Sequence, residues 1–398
     1  MPSGKRLVVV DNGSGFVKCG FGGSHFPTHI FPSIVGRPIV RSAKQLAGGE
    51  LKECSDILLA DECTSHRHLL DITYPMENGV VRNWDDMNLI WKYTFGPERL
   101  DIVPEESRLL LTEPAMNSAA NRQKVVETMF EDYKFDSLFI ATQAVLALYA
   151  NGMTTGICVD SGDGVTHVCP VFEGRILHHL SRRLDIAGRH ITRELNKLLL
   201  LRGYSFNHSA DFEVMRQLKE QQCYVAYDVA VDERLIKETT VLNKQFPLPD
   251  GRVITVAEEL FRAPEILFQP SLLGQEVGSI SEMLYNTVQA ADIDIRTSLF
   301  KNILVTGGTT LLPGFAERLE REVNQLYLQR VLKGDESNFG KFRTQVQAPA
   351  RRMHLVFEGG AMLAELIDDY PDMWLTRQFY EEEGMARCLQ KMANVSLV

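Results

Sequence analysis

The chain has 398 residues, more than a single hydrophobic core ordinarily organises, and suits two globular halves. Its 44% hydrophobic and 24% charged residues are ordinary for a soluble folded protein, and no apolar run approaches the roughly 18 residues that span a bilayer. A net charge of −10 with no dense basic stripe argues against nucleic acid as a partner.

Residues 1–6 lead directly into Leu7-Val8-Val9-Val10. That run is too short for a signal-peptide core and ends in Asp11 rather than a cleavage site, which reads as cytosolic. With Asp11-Asn12-Gly13-Ser14-Gly15 after it, the segment predicts a buried strand ending in a tight turn. Residues 41–53 are polar and glycine-bearing. His66 and His68 lack carboxylate or thiol company at ligand spacing and read as loop histidines. Residues 117–133 set Val125, Val126, Met129, Phe130 and Tyr133 on one face, predicting a helix packed on a sheet. Gly156-Ile157-Cys158-Val159-Asp160-Ser161-Gly162-Asp163-Gly164 repeats the strand-and-turn grammar of the first segment. Residues 191–202 carry Ile191, Leu195, Leu198 and Leu199, and Gly203 supplies a helix stop. Thr239 and Thr240 stand near Arg234 and Lys237, where an added phosphate would find cations; two ordinary β-favouring threonines are the alternative. Asn302-Ile303-Leu304-Val305 ends in Thr306-Gly307-Gly308-Thr309, and Pro313-Gly314 opens a helix with Phe315, Leu319, Val323 and Leu326 on its apolar side. The seven cysteines are scattered with no C-x-x-C pair, so buried free thiols are expected rather than a disulfide scaffold or zinc site.

The two Asp-bearing turns carry a specific chemistry. Glycine permits positive φ and brings backbone N–H groups close to an anion, and Ser14 adds a hydroxyl donor. A strand-end carboxylate repels phosphate, so Asp11 and Asp160 imply a cation in between, for which hydrated Mg2+ is suited. One such turn is an ordinary hairpin. Two in matching order, with a later Gly-Gly turn, point to a duplicated α/β layout whose ligand sits at the carboxyl ends of the strands.

On these residues the chain resembles the actin superfamily. Asp11-Asn12-Gly13-Ser14-Gly15 and Asp160-Ser161-Gly162-Asp163-Gly164-Val165-Thr166-His167 are similar to that family's two phosphate loops, and Thr306-Gly307-Gly308-Thr309-Thr310 to its adenosine loop. The similarity continues through Phe139-Ile140-Ala141-Thr142-Gln143-Ala144-Val145-Leu146, Arg183-Leu184-Asp185-Ile186-Ala187-Gly188-Arg189 and Leu267-Phe268-Gln269-Pro270 to Gly359-Gly360, covering essentially the whole chain. It implies an actin-like ATPase fold, α/β, with two related domains and four subdomains around a nucleotide cleft. The inner domain is expected at 1–150 plus 355–398, with its second subdomain at about 33–75. The outer domain is expected at 151–354, its subdomains at about 151–186 with 276–354, and about 187–275.

The resemblance also implies roles. Ser14, Gly15 and Lys18 would hold the β- and γ-phosphates of ATP from one side, and Gly162, Asp163, Gly164 and Val165 from the other. Asp11 and Asp160 would order the water shell of Mg2+. Gln143 and His167 would position the attacking water, with Asp160 in the same catalytic set. Gly188, Arg216, Lys219, Glu220, Gly308, Thr309 and Met353 would surround ribose and adenine. Taken alone, Arg216, Lys219 and Glu220 read as a solvated helical face.

Departures from conventional actin separate the chain within the superfamily. Met353 replaces a lysine beside adenine, exchanging a charged contact for an apolar one. Leu312 replaces a tyrosine near the base, and Asn78 the methylated histidine. An acidic tail gives way to Pro2-Ser3-Gly4-Lys5-Arg6, the 41–53 loop is polar where actin's is apolar, and an insertion over 330–343 lengthens the outer domain. Phe206-Asn207-His208-Ser209-Ala210-Asp211-Phe212 and Leu332-Lys333-Gly334-Asp335 are marks of one actin-related branch.

Three functional classes share the fold. A sugar kinase needs a carboxylate general base, and the resemblance puts the amide of Gln143 near the γ-phosphate instead. A chaperone ATPase needs a peptide-binding domain, and only about forty residues follow Gly360. The expected function is a nucleotide-gated assembly subunit and weak ATPase, without phosphotransfer to a substrate. By resemblance its partners are actin filaments, actin-related protein 3, accessory subunits and nucleation-promoting factors in a complex that starts branched filaments, at cortical patches or the leading edge. Conventional self-polymerising actin is the alternative, and a small-molecule kinase the weaker one. The surface near Tyr149, Thr154 and a strand at Leu355-Val356-Phe357 is expected to receive an incoming actin subunit.

Overall fold

The computed structural model describes residues 5–39, 57–206, 209–249, 251–335 and 344–395. The 41–53 loop, Asn207-His208 and residues 336–343 of the insertion lie outside them. The described chain forms two compact units: Met1–Cys158 with Cys169–Ser181 and Met353–Val398, and Val159–Val168 with Arg182–Arg352.

In chain order the strands are β1 (Arg6–Asn12), β2 (Phe16–Phe21), β3 (His29–Pro32), β4 (Val35–Pro38), β5 (Leu58–Leu59), β6 (Leu70–Thr73), β7 (Met76–Glu77), β8 (Val80–Val81), β9 (Ser107–Glu113) and β10 (Ser137–Thr142). There follow β11 (Gly156–Ser161), β12 (Thr166–Phe172), β13 (Arg175–Ile176), β14 (Arg182–Leu184), β15 (Lys244–Pro247), β16 (Val253–Val256), β17 (Ile303–Thr306), β18 (Val346–Gln347) and β19 (Leu375–Thr376).

The main sheet of the first unit has the order β19-β10-β9-β1-β2-β3. Its centre, β1, β9 and β10, is parallel, and β2, β3 and β19 are added antiparallel. The apolar runs of β1 and β9 follow from burial on both faces. Val8 and Val10 join a core with Trp91, Phe95, Phe130 and Phe135, while Val9 on the other face meets Gly360 of the helix Leu355–Leu366. The second sheet has the order β13-β12-β11-β17-β18, with β14 beside β12. The chain passes between the units inside β11 and again inside β12.

Residues 169–181, expected in the outer domain, group with the first unit. The turn after β12 is tied there by Gly174 N donating to Thr154 O at 2.7 Å and Glu173 N to Thr155 Oγ1 at 3.0 Å. The helix expected over 117–133 is Ala119–Glu127, capped by Ser118, and continues as a π-helical turn over Thr128–Asp132. Gly203 (φ +100°) follows the helix Gly188–Leu201, and Gly314 (φ +82°) precedes Phe315–Arg330. His66 is a turn residue between the short helix Asp61–Ser65 and the tight helical turn Arg67–Leu69, as expected of a loop histidine. Six cysteines among the described residues are buried and belong to no disulfide.

Leu355-Val356-Phe357 is the start of the helix Leu355–Leu366, not a strand. A short apolar run cannot distinguish a buried strand from a buried helix, and here burial continues through Glu358, Gly359, Gly360 and Ala361. The helix crosses Gln143–Ala150 so closely that a Cβ on Gly359 would stand 1.9 Å from Leu146 O.

Two glycine substitutions are therefore expected to differ in size. Gly359→Ala drives two helices apart and should cost about 3 kcal/mol. Gly152→Ala, with nothing within 4 Å but φ at +70°, should cost about 1 kcal/mol from backbone strain alone. Urea denaturation of both variants checks the order; equal losses would contradict it.

Candidate functional site

In the first unit the candidate residues gather at the carboxyl end of β1. Asp11 lies opposite Lys18 in the β1–β2 ladder, and the residue is 3% exposed. Three donors meet it: Thr112 Oγ1 at 2.6 Å, Gln143 Nε2 at 3.1 Å and Lys18 Nζ at 3.3 Å. Lys18 Nζ also donates to Met353 O at 2.8 Å. The turn between β1 and β2 needs Gly13, where a side-chain carbon would lie 2.5 Å from Phe16 O. Gly15 O accepts from Ser33 N at 2.9 Å, and Ser14 Oγ accepts from Gly79 N at 2.9 Å. Gly79 belongs to a two-residue turn, Asn78-Gly79, between β7 and β8, with φ of +48° and +77°. That is the geometry for which Asn-Gly is the preferred pair.

In the second unit the candidate residues gather around the turn 162–165. Gly162 N donates to Val165 O at 3.1 Å, closing the turn between β11 and β12. Gly162 O accepts from Thr309 Oγ1 at 2.6 Å and from Gly188 N at 3.1 Å. Asp163 O accepts from Arg189 N at 2.8 Å. Lys219, 7% exposed, sends Nζ to Gly188 O at 3.1 Å. It is therefore not part of a solvated face, and burial holds its amine below the usual lysine range. Arg216, on the same helix, pairs with Glu213 and with Glu220 at 2.8 Å. Gly307 (φ +93°) lets its loop lie against β11: a Cβ there would stand 2.7 Å from Asp160 Oδ1. Gly307 N and Thr306 Oγ1 both donate to Arg352 O, the residue before Met353. Gly164 and Val165 are buried, as is Leu312 beyond the turn Gly308–Leu311.

The fit to a nucleotide and a hydrated cation rests on three features. His167 Nε2 is buried without a hydrogen-bond partner, a costly state that a ligand or its water would relieve. A Cβ on Gly188 would lie 2.7 Å from Thr309 Oγ1 and 3.3 Å from Lys219 Nζ, so only glycine keeps that corner open. Each unit offers a carboxylate oxygen, Asp11 in the first and Asp160 in the second, the chemistry that hard cations take. The residues of each unit, taken by itself, fit the group.

Sequence reasoning passed over Thr112, Gly79 and Arg189. The Asn-Gly pair was a readable turn signal, and Leu109-Leu110-Leu111-Thr112-Glu113 was another apolar run ending in polar residues. Nothing local marks Thr112 or Arg189 as a partner of Asp11 or Asp163.

A family model described as Actin matches residues 4–393, and the chain belongs to the actin family. It is 57% identical to the actin-related protein 2 of Caenorhabditis briggsae over 390 residues, 98% of each chain. It is 55% identical to that of Drosophila melanogaster over 395 residues, 99% of each. With that of Acanthamoeba castellanii it shares 50% over 391 residues, 98% of this chain and 100% of the relative.

Burial, then the Arg183 guanidinium, lowers the His167 pKa from 6.5 to about 4, against a smaller opposing pull from Asp185. Between those values the unfolded chain binds the proton and the folded chain does not. Stability linked to His167 is therefore complete above 6.5 and lost as pH falls to about 4, a change of about 3 kcal/mol. In urea titrations His167→Gln should be less acid-sensitive than the parent by that amount. Parallel pH profiles would contradict it.

Proposed function

We propose that the chain works as the name of its relatives implies, as an actin-related protein 2: an ATP-binding subunit of the complex that nucleates branched actin filaments. The observation that carries this reading is identity of 50% to 57% to three proteins of that name along nearly the full length of each. In this reading it pairs with actin-related protein 3 and accessory subunits as the first subunits of a daughter filament, in response to nucleation-promoting factors. Its place is the cytoplasmic actin cytoskeleton. No helix among the described residues is long and apolar enough to cross a membrane.

For the nucleotide, Ser14, Gly15 and Lys18 would contact β- and γ-phosphates, as would the backbone of Gly162, Asp163, Gly164 and Val165. Gly188, Arg216, Lys219, Glu220, Gly308, Thr309 and Met353 would line ribose and adenine. Asp11 and Asp160 would hold Mg2+ through water, and the bound ion would neutralise phosphate charge. Gln143 and His167 would orient the attacking water. Neither is a strong base: Gln143 is an amide, and the His167 pKa is about 4. They suit slow hydrolysis better than proton abstraction from an alcohol. The chain would use ATP binding and slow hydrolysis as a conformational timer between two states.

Three measurements test this. Equilibrium binding of a fluorescent ATP should weaken in Asp11→Ala and Asp160→Ala, by tenfold or more as an order of magnitude for a lost charge. Magnesium dependence should change with it, and unchanged binding in both would remove the cation role. Gln143→Ala and His167→Ala should slow phosphate release at saturating ATP by about 100-fold while affinity stays near that of the parent. In pyrene-actin assays the isolated chain should form no filaments, whereas the reconstituted complex should seed actin. The basis is the polar sequence of residues 41–53, which offers little apolar area to a filament neighbour. Filament growth from the isolated chain would favour conventional actin.

A further inference from the structure

We infer that Arg189 is a positioning residue that holds the second phosphate loop, residues 162–165, in its anion-binding shape; this deepens the nucleotide reading above and rests on it. Arg189 is the second residue of the helix Gly188–Leu201 and is 7% exposed. It grips one loop residue three times. Its backbone N donates to Asp163 O at 2.8 Å, and its Nε and Nη2 donate to Asp163 Oδ2 at 3.1 and 2.8 Å. The preceding Gly188 N holds Gly162 O at 3.1 Å, and Thr309 Oγ1 holds the same oxygen at 2.6 Å.

The consequence follows from peptide geometry. In a planar trans peptide the C=O of one residue and the N–H of the next point in opposite directions, and the described chain has no cis bond. With the Gly162 and Asp163 carbonyls drawn onto the helix start, the N–H groups of Asp163 and Gly164 are turned away from it. Successive N–H groups aimed to one side form an anion-binding concavity. A carboxylate inside a phosphate loop is otherwise a liability, because it repels the ligand. Arg189 pulls the Asp163 side chain toward the helix and neutralises it there, so the loop presents N–H groups rather than negative charge.

Arginine is required by the geometry. The planar fork meets one carboxylate with two N–H groups and keeps its charge in a buried setting, whereas a lysine supplies a single flexible point charge. Arg189 need not touch the ligand. It acts through Asp163.

The test uses the full chain and two readouts. In the ligand-free chain, hydrogen exchange at the amides of Gly162, Gly188 and Arg189 should rise at least about tenfold in Arg189→Met, the order expected for a lost charged hydrogen bond. Amides of β17 should keep their protection. Fluorescent ATP should bind about tenfold to 100-fold more weakly, while adenosine, which has no phosphate, should compete with unchanged affinity. Arg189→Lys should fall between the two. A general structural role would weaken ATP and adenosine alike, and that result, or unchanged loop exchange and ATP affinity, overturns the inference. If Arg189→Met does not fold, Arg189→Lys is carried through the same two readouts and must show intermediate loop exchange and ATP loss. If the parent chain binds no ATP, the nucleotide reading fails, while hydrogen exchange still decides whether Arg189 braces the loop.

Discussion

Removing the Asp11 carboxylate from water costs several kcal/mol unless donors replace the lost hydration, and the first unit supplies them from three directions. Lys18 comes from the neighbouring strand β2, Thr112 from the end of β9, and Gln143 from the first turn of the helix after β10. Each donor is placed only if its own element is in register. The carboxylate thereby ties the central strands and the helix Gln143–Ala150 into one arrangement, and the Lys18 bond to Met353 O extends it toward the helix Leu355–Leu366. These are also the residues proposed to meet a cation and an attacking water. Satisfying the buried charge and building the site are one physical requirement.

The second unit repeats the strand-and-turn but supports it differently. In the first unit the turn hydroxyl of Ser14 is met by the tight turn at Asn78-Gly79. In the second, the turn 162–165 is held from behind by the start of the helix Gly188–Leu201 and by Thr309. Gly188 and Thr309, proposed for the nucleoside, thus also hold the 162–165 turn, and Lys219 in turn bonds Gly188 O. Glycine is indispensable at Gly188 and Gly307 because neighbouring backbone and side chains occupy the space that a Cβ would take.

His167 shows how burial selects chemistry. Its neutral ring is a consequence of desolvation reinforced by Arg183 across the β12–β14 pair. A histidine kept neutral near physiological pH orients water through a ring nitrogen but does not act as a strong base. In the proposed reading, that neutral ring suits slow, switch-like hydrolysis rather than rapid phosphotransfer.

The sequence by itself determined the α/β class, the two Asp-bearing strand-and-turn units and the Gly-Gly turn, because strand periodicity and glycine turns are local signals read over a few residues. It also determined family membership, which the match across 4–393 demonstrates. It did not decide between strand and helix at Leu355-Val356-Phe357, where apolar residues would suit either and only burial on every side selects the helix. Nor did it reveal Thr112, 101 residues from Asp11, or Gly79, 65 residues from Ser14. Arg189 was in plain view beside Gly188, yet its bond to Asp163 spans 26 residues. Such pairings depend on which strand ends and helix starts converge, and that convergence is set by the packing of whole elements. Tertiary structure alone decided them.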